Sequence, residues 1–339
     1  MLGLRNTEVE IGMRAWLIQA LEGAPVQVDQ AIPAPAKGEA RVRVVAAGLN
    51  FADLLMIAGT YQVRTPAPYI PGMEFSGIVE ALGPDTKGPA PGTRVLGVSG
   101  TGALAEWLCL PADRLSPLPD AMPFEEAAGF PIAYGTSHLA LDWKAALQPG
   151  ETLFVTGAAG GVGLTAVEIG KLMGARVIAS ARGADRLQVA RAAGADVLLD
   201  SDDPALQGGG LKDRLRAEGG VDVVYDVVGG PAFDAALRAC NPDGRLLAIG
   251  FAAGQVPQVP ANQLLVRNLT VIGFWYGGYQ ERAAAQVKAS METLLDWRAK
   301  GLLHPHAGQV LPFEELPQGL DLLRSRRATG KVVIRVQDP

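Results

Sequence analysis

Only two cysteines and three histidines occur in this 339-residue chain. Cys109 and Cys240 stand too far apart in sequence for a C-x-x-C knuckle, and one pair makes no disulfide framework. His304 and His306 flank Pro305 in a loop-like stretch, and His138 stands alone, so no histidine cluster offers a metal site. Charge of one sign is not in excess: the net charge is −5, which gives no basic surface for nucleic acid. No apolar run approaches the roughly 20 residues that a membrane helix needs. The first residues lack a secretory core, so a cytoplasmic location and an N-terminal extension over residues 1–12 are expected. What remains is 48% hydrophobic and 19% charged, the balance of a folded chain with about two domains.

One stretch carries most of the information. Thr152–Thr156 is short, β-rich and apolar, a strand buried on both faces. Gly157, Gly160, Gly161 and Gly163 follow, and a helical apolar period begins at Val162. Strand, glycine turn and helix in this order form a seat for a pyrophosphate, because free N–H groups and the helix dipole face the phosphates. The backbone of Ala159, Gly160, Gly161, Val162 and Gly163 would line it. In the G-x-G-x-x-G register the positions are Ala158, Gly160 and Gly163, so the first glycine is an alanine. A second strand, Ala175–Ser180, completes a βαβ unit of about 30 residues.

The end of that strand indicates which dinucleotide. An NAD site places a carboxylate there for the ribose hydroxyls. Here the chain reads Ser180-Ala181-Arg182-Gly183-Ala184-Asp185-Arg186, with alanine at the acidic position and two arginines after it. Arginine forks bind phosphate oxygens, so Ser180, Arg182 and Arg186 point to the 2′-phosphate of NADP(H). The plainer alternative is that both arginines solvate a loop, with Asp185 as a partner.

Around this unit the chain divides. Residues 13–130 are rich in short strands, prolines and glycines and read as a β-barrel-like body, with strands at Arg41–Ala47, Phe75–Glu80 and Thr93–Gly97. Glu125–Leu147 reads as helix broken near Pro131. Strand candidates Val197–Asp200, Val221–Val227, Arg245–Gly250 and Leu269–Phe274 then alternate with helices such as Phe233–Cys240 and Arg282–Lys300. Such alternation specifies a doubly wound parallel sheet. A last strand, Lys331–Val336, falls outside the alternation and is expected to return to the first domain.

The motifs Ala46-Ala-Gly-Leu-Asn-Phe-Ala-Asp53, Gly59-Thr-Tyr61, Pro71-Gly-Met-Glu-Phe-Ser-Gly77, Ala158–Gly163 and Ala328-Thr-Gly-Lys331 occur in order. With them the chain resembles the medium-chain dehydrogenase/reductase superfamily, in particular its zinc-free quinone oxidoreductase branch. The resemblance implies an α/β fold: a GroES-like β-barrel substrate domain over 13–132, completed by 276–339, and a Rossmann NADP(H)-binding domain over 133–275. It also implies an active site in the cleft between them. Where zinc alcohol dehydrogenases carry a cysteine and a histidine ligand, this chain has Asn50 and Met73. Too few ligands remain for a tetrahedral site.

Without a Lewis acid, hydride transfer to an already electrophilic acceptor is the accessible chemistry. The resemblance therefore implies an NADPH:quinone oxidoreductase. In it Asn50 hydrogen-bonds the acceptor oxygen, Asp53 braces the domain, and Met73 and Tyr276 line the substrate pocket. Tyr61 matches a tyrosine that donates a proton in related enoyl-thioester reductases, so an enone or enoyl-thioester reductase is the second reading and a plain pocket wall the third. On the cofactor, the resemblance places Thr136 against the nicotinamide, Val228 near the ribose, and Gly250, Phe251, Phe274 and Trp275 at the carboxamide. Trp275 and Tyr276 read equally well as ordinary cleft aromatics. Arg327, with Lys331 beside it, would reach the 2′-phosphate from the first domain, whereas Ser201 replaces a tyrosine that assists there in some relatives.

A short-chain dehydrogenase reading fails because no tyrosine has a lysine four places on, and a serine hydrolase reading fails because Gly97–Thr101 lacks the final glycine of G-x-S-x-G. A cofactor-binding structural protein with little turnover is the remaining reading of another class. The apolar edge strand Leu269–Phe274 predicts a homodimer.

Overall fold

The computed structural model describes residues 11–339. They divide into two compact units: the residues up to Pro131 together with Ala307–Pro339, and Ile132–His306.

The first unit opens with a two-stranded ribbon, β1 (Ile11–Leu17) and β2 (Val26–Ala31). β3 (Glu39–Leu49) is its long central strand, followed by helix α1 (Phe51–Ile57), β4 (Glu74–Leu82), β5 (Arg94–Val98), β6 (Trp107–Pro111), β7 (Leu115–Pro117) and helix α2 (Phe124–Ala128). β3 is buried along nearly its whole second half, which its run Val44–Leu49 of small and branched residues permits. Its core gathers Trp16, Val42, Val44, Phe75, Leu104 and Leu108. Fully burying such side chains contributes about 1.5–3 kcal/mol each before conformational entropy is subtracted.

Helix α3 (Pro131–His138) and a π-helical turn at Leu139–Lys144 lead into the second unit. There β8 (Thr152–Thr156), α4 (Gly161–Leu172), β9 (Arg176–Ala181), α5 (Ala184–Ala192), β10 (Val197–Asp200), α6 (Gly210–Ala217), β11 (Val221–Asp226), α7 (Gly230–Ala239), β12 (Cys240–Ala248), α8 (Ala261–Arg267) and β13 (Thr270–Gly273) alternate. All pairings are parallel, in the order β10-β9-β8-β11-β12-β13. This is the expected doubly wound sheet, with β13 at its edge. β8 and β11 are central and almost entirely buried, in keeping with the apolar runs Leu153–Val155 and Val223–Tyr225.

Helices α9 (Tyr276–Arg282) and α10 (Ala284–Ala299) complete this unit. Here the domain expectation is corrected: residues 276–306 pack with the dinucleotide unit, not with the barrel. Ser290 Oγ lies 2.8 Å from His138 Nδ1, the Trp297 ring stands edge-on to His138 at 5.1 Å, and Tyr279 packs on Phe274 at 5.3 Å. Helical periodicity alone says nothing about which core a helix covers.

After His306 the chain returns to the first unit through β14 (Ala307–Pro312), α11 (Leu316–Arg324) and β15 (Lys331–Arg335). β15 pairs antiparallel with β3 and parallel with β14, so the last strand joins the barrel as expected. Of the twelve residues read as an extension, 1–10 lie outside the described residues, while Ile11 and Gly12 belong to β1.

Candidate active site

The second unit builds the dinucleotide seat at the carboxyl ends of β8, β9, β11 and β12. The tight turn is made at Gly157, with φ +59, one residue earlier than the motif register suggests. A Cβ there would lie 2.6 Å from Val227. Ala158, in the first motif position, needs no such freedom: it is fully buried and its N–H donates to Ser180 O at 2.9 Å. Gly163 is indispensable, because a Cβ would lie 2.2 Å from Gly157 O, where helix and strand pack together. Gly160 caps α4 in an extended conformation, and Leu164 N–H, bonded to Gly160 O at 2.8 Å, starts the helical ladder. The N–H groups of Gly161, Val162 and Gly163 precede that ladder and are the orphan donors of the helix start, so this end fits an anionic pyrophosphate.

Beside the turn, Ser180 is buried at the end of β9 opposite Thr156. Arg182 is exposed, and its Nε lies 3.4 Å from Asp202 Oδ1. Asp202 was not singled out from sequence. The next carboxylate, Asp200, accepts from the N–H groups of Gly183 and Asp202, which hold it below the usual carboxylate range. Arg186 is half-buried on α5.

Thr136 is buried in α3, and the Tyr276 ring is buried with its phenol end against Gly135, where a Cβ would meet Oη at 2.6 Å. Trp275 is partly exposed at the start of α9 and lies over Gly277 and Gly278. Phe274 is buried, Phe251 is exposed, and Val228 and Gly250 sit in the loops that follow β11 and β12.

The first unit holds a second polar centre. The Lys331 ammonium, almost wholly buried, donates to Leu49 O, Asn50 Oδ1 and Glu74 Oε1, each at 2.7 Å. An ammonium has three hydrogens and all three are used. Lys331 is therefore a fixed internal cation, not a ligand for a cofactor phosphate, which corrects the sequence expectation. Asn50 Nδ2 donates to Glu74 Oε1 at 2.8 Å, and its second hydrogen rests on Gly48 O at 3.5 Å, the weaker bond. Only that second hydrogen is readily given to an acceptor oxygen.

Asp53 accepts from Asn50 N–H at 2.8 Å, but its buried Oδ1 has no hydrogen-bond partner among the described residues. Burial pushes the Asp53 carboxyl up to about 7. Its charge, with burial, pushes the Tyr69 phenol up to about 12. Tyr61 and Met73 are half-buried and pack against the barrel core, and Arg327 is exposed with its Nε on Ser325 Oγ at 2.9 Å. Among the described residues no three His, Cys, Asp or Glu side chains are grouped to hold a metal ion. No helix among them is long and apolar enough to cross a membrane.

The chain is similar to known proteins along most of its length. The profile of the alcohol dehydrogenase GroES-like domain matches residues 36–120, and that of the zinc-binding dehydrogenases matches residues 161–295. Quinone oxidoreductase-like protein 2 of Mus musculus is 36% identical over 92% of this chain and 89% of its own length. The quinone oxidoreductase of Thermus thermophilus, solved also with NADPH, superposes with a TM-score of 0.85 at 37% identity, over 95% of this chain and 99% of that one. A mycobacterial protein solved with NADPH gives 0.87 at 30% identity, over 96% and 100%. The chain belongs to the medium-chain dehydrogenase/reductase superfamily, in its quinone oxidoreductase branch, and is an oxidoreductase.

Proposed function

We propose that this protein is a zinc-independent NADPH:quinone oxidoreductase. The observation that carries the reading is the Lys331 ammonium bound to Asn50 and Glu74. Asn50 and Met73 stand where zinc-dependent members supply metal ligands, and a cation of the chain's own already neutralises Glu74. A divalent ion about 4 Å from that ammonium would meet roughly 8 kcal/mol of repulsion at an effective dielectric of about 20.

NADPH fits the second unit. Gly161, Val162 and Gly163 present their N–H groups to the pyrophosphate, Ser180 and Arg182 meet the 2′-phosphate, and Arg186 supports the same charge. When bound, NADPH would supply a hydride, chemistry that suits an electron-poor quinone and needs no Lewis acid. The protein's share is alignment and exclusion of water: Thr136 and the backbones of Gly250, Phe251, Phe274 and Trp275 would orient the nicotinamide, and the Asn50 hydrogen held only weakly by Gly48 O would be given to the acceptor oxygen. Tyr61 and Met73 act as apolar walls, in keeping with their packing on the barrel core. The unpaired edge of β13, with Leu265 and Val266 exposed on the preceding helix, supports a homodimer, which light scattering tests.

The deciding experiment is NADPH oxidation with 9,10-phenanthrenequinone and with trans-2-enoyl-CoA, before and after EDTA, alongside elemental analysis. Quinone turnover unaffected by EDTA is the expected result. Stoichiometric zinc with EDTA-sensitive activity overturns the reading, and turnover of the thioester alone transfers it to the alkene reductases.

A further inference from the structure

Asp226 ends β11 fully buried, yet no element of the proposed reaction uses it. Its surroundings are unusual for a carboxylate, because no cation among the described residues pairs with it. Oδ2 accepts from Gly229 N–H at 2.8 Å, and Oδ1 accepts from Val228 N–H at 3.3 Å and from Thr156 Oγ1 at 2.6 Å. Thr156 Oγ1 in turn accepts from Val227 N–H at 3.0 Å. Thr156 is the last residue of β8, immediately before the Gly157 turn, and β8 and β11 are neighbours in the sheet.

The same residue also holds the next loop. Its backbone carbonyl accepts from Ile249 N–H at 2.9 Å and Gly250 N–H at 3.3 Å. The two loops then lace together: Ala252 N–H bonds Val227 O, Ala253 N–H bonds Val228 O, and Gly230 N–H bonds Gln255 O. Three segments of the dinucleotide seat thus meet at one residue: its carboxylate holds Thr156 before the glycine turn and the N–H groups of Val228 and Gly229, and its backbone carbonyl holds Ile249 and Gly250 at the start of the third.

We infer that Asp226, together with Thr156, is the positioning residue that fixes these three segments in the shape the dinucleotide requires. The inference rests on the NADPH reading above. Its physical sense lies in the choice of a carboxylate. A buried acceptor with two oxygens can gather four donors, whereas an amide of the same size must turn an NH2 group towards one of them. Burial pushes the Asp226 carboxyl above its usual range, against the pull of its donors. Its charge is therefore a burden on folding, kept where loop geometry matters more than stability.

That burden makes the test discriminating. Asp226→Asn removes the buried charge while misdirecting at least one bond, so affinity and stability separate. We expect Kd and KM for NADPH to rise at least tenfold, with the quinone KM within twofold and Tm within a few degrees of the native protein. Thr156→Val should weaken NADPH in the same way and Thr156→Ser should restore it, with the double variant Asp226→Asn/Thr156→Val no weaker than its worse parent. If Asp226→Asn does not fold, the Thr156 pair decides alone. NADPH binding within twofold of native in Asp226→Asn or Thr156→Val, or losses that merely follow Tm, overturn the inference. A native protein that binds neither NADPH nor NADH overturns the cofactor reading itself, and the inference with it.

Discussion

Glu74 and Asp226 are both fully buried carboxylates, one in each unit, and they are neutralised by different means. Glu74 faces a full positive charge, the Lys331 ammonium at 2.7 Å, within a shell that includes Asn50. Asp226 faces only dipoles, the N–H groups of its own following turn and one hydroxyl. An ion pair is strong but indifferent to fine geometry, and it suits a barrel whose strands must be tied together. Amide donors are weaker singly, but they dictate torsions, and they suit loops that must match a ligand.

The largest test of this contrast is Lys331→Ala. It leaves Glu74 in the core without its cation, and removal of one partner from a buried pair costs about 3–5 kcal/mol. Denaturant unfolding should register that loss, and Lys331→Met with Glu74→Gln should recover much of it. If Lys331→Ala unfolds at the native midpoint, the pair is not what ties the barrel.

Gly163→Ala comes next. A methyl group 2.2 Å from Gly157 O must push the turn from the helix. NADPH affinity should fall at least tenfold, by fluorescence titration, with a smaller change in stability.

Arg182→Ala should lower the preference for NADPH over NADH about tenfold, the low end of what a charged hydrogen bond contributes. Equal kcat/KM ratios in native and variant protein would remove Arg182 from the site. Asp202→Asn should shift the same ratio the other way, by no more than about fivefold, since exposed ion pairs contribute about 0–1 kcal/mol.

Asp53 gives an effect that varies with pH. Its folded value, about 7, lies above that of the unfolded chain, so its contribution to stability is full below the unfolded value and is lost as pH rises through about 7. His138, whose burial lowers its value, works in the opposite sense over part of this range. Comparison with Asp53→Asn isolates the first effect. The native protein should lose stability relative to the variant as pH rises from 3.8 to about 7 and level off above that, and parallel curves would contradict the assignment.

The sequence already disclosed much of this architecture, because its signals are local. β8, the glycine turn and α4 lie within about twenty residues, and alternation of strand and helix needs no distant information. Lys331 was misassigned for the opposite reason: its partners Asn50 and Glu74 are 281 and 257 residues away, and no local pattern connects them. Ala158 looked like a defect in the glycine motif, since letters do not reveal that the left-handed turn falls at Gly157. Helix α10 was placed with the wrong unit because periodicity records an apolar face, not its neighbour. Thr156 was passed over as an ordinary strand end and Asp226 as one residue within the strand Val221–Val227, although an aspartate following the apolar run Val223–Tyr225 was a visible sign.

The cation beside Glu74 is carried on β15, the last strand of the chain. It arrives with translation itself, one per polypeptide, and no depletion of the cell's metal pools can strip it or exchange it for another ion. Its charge is also capped at one, and it has no vacant orbital to offer a substrate oxygen. On the proposed zinc-independent reading, a scaffold with such a cation gives up the power to activate reluctant alcohols and gains independence from trace-element supply.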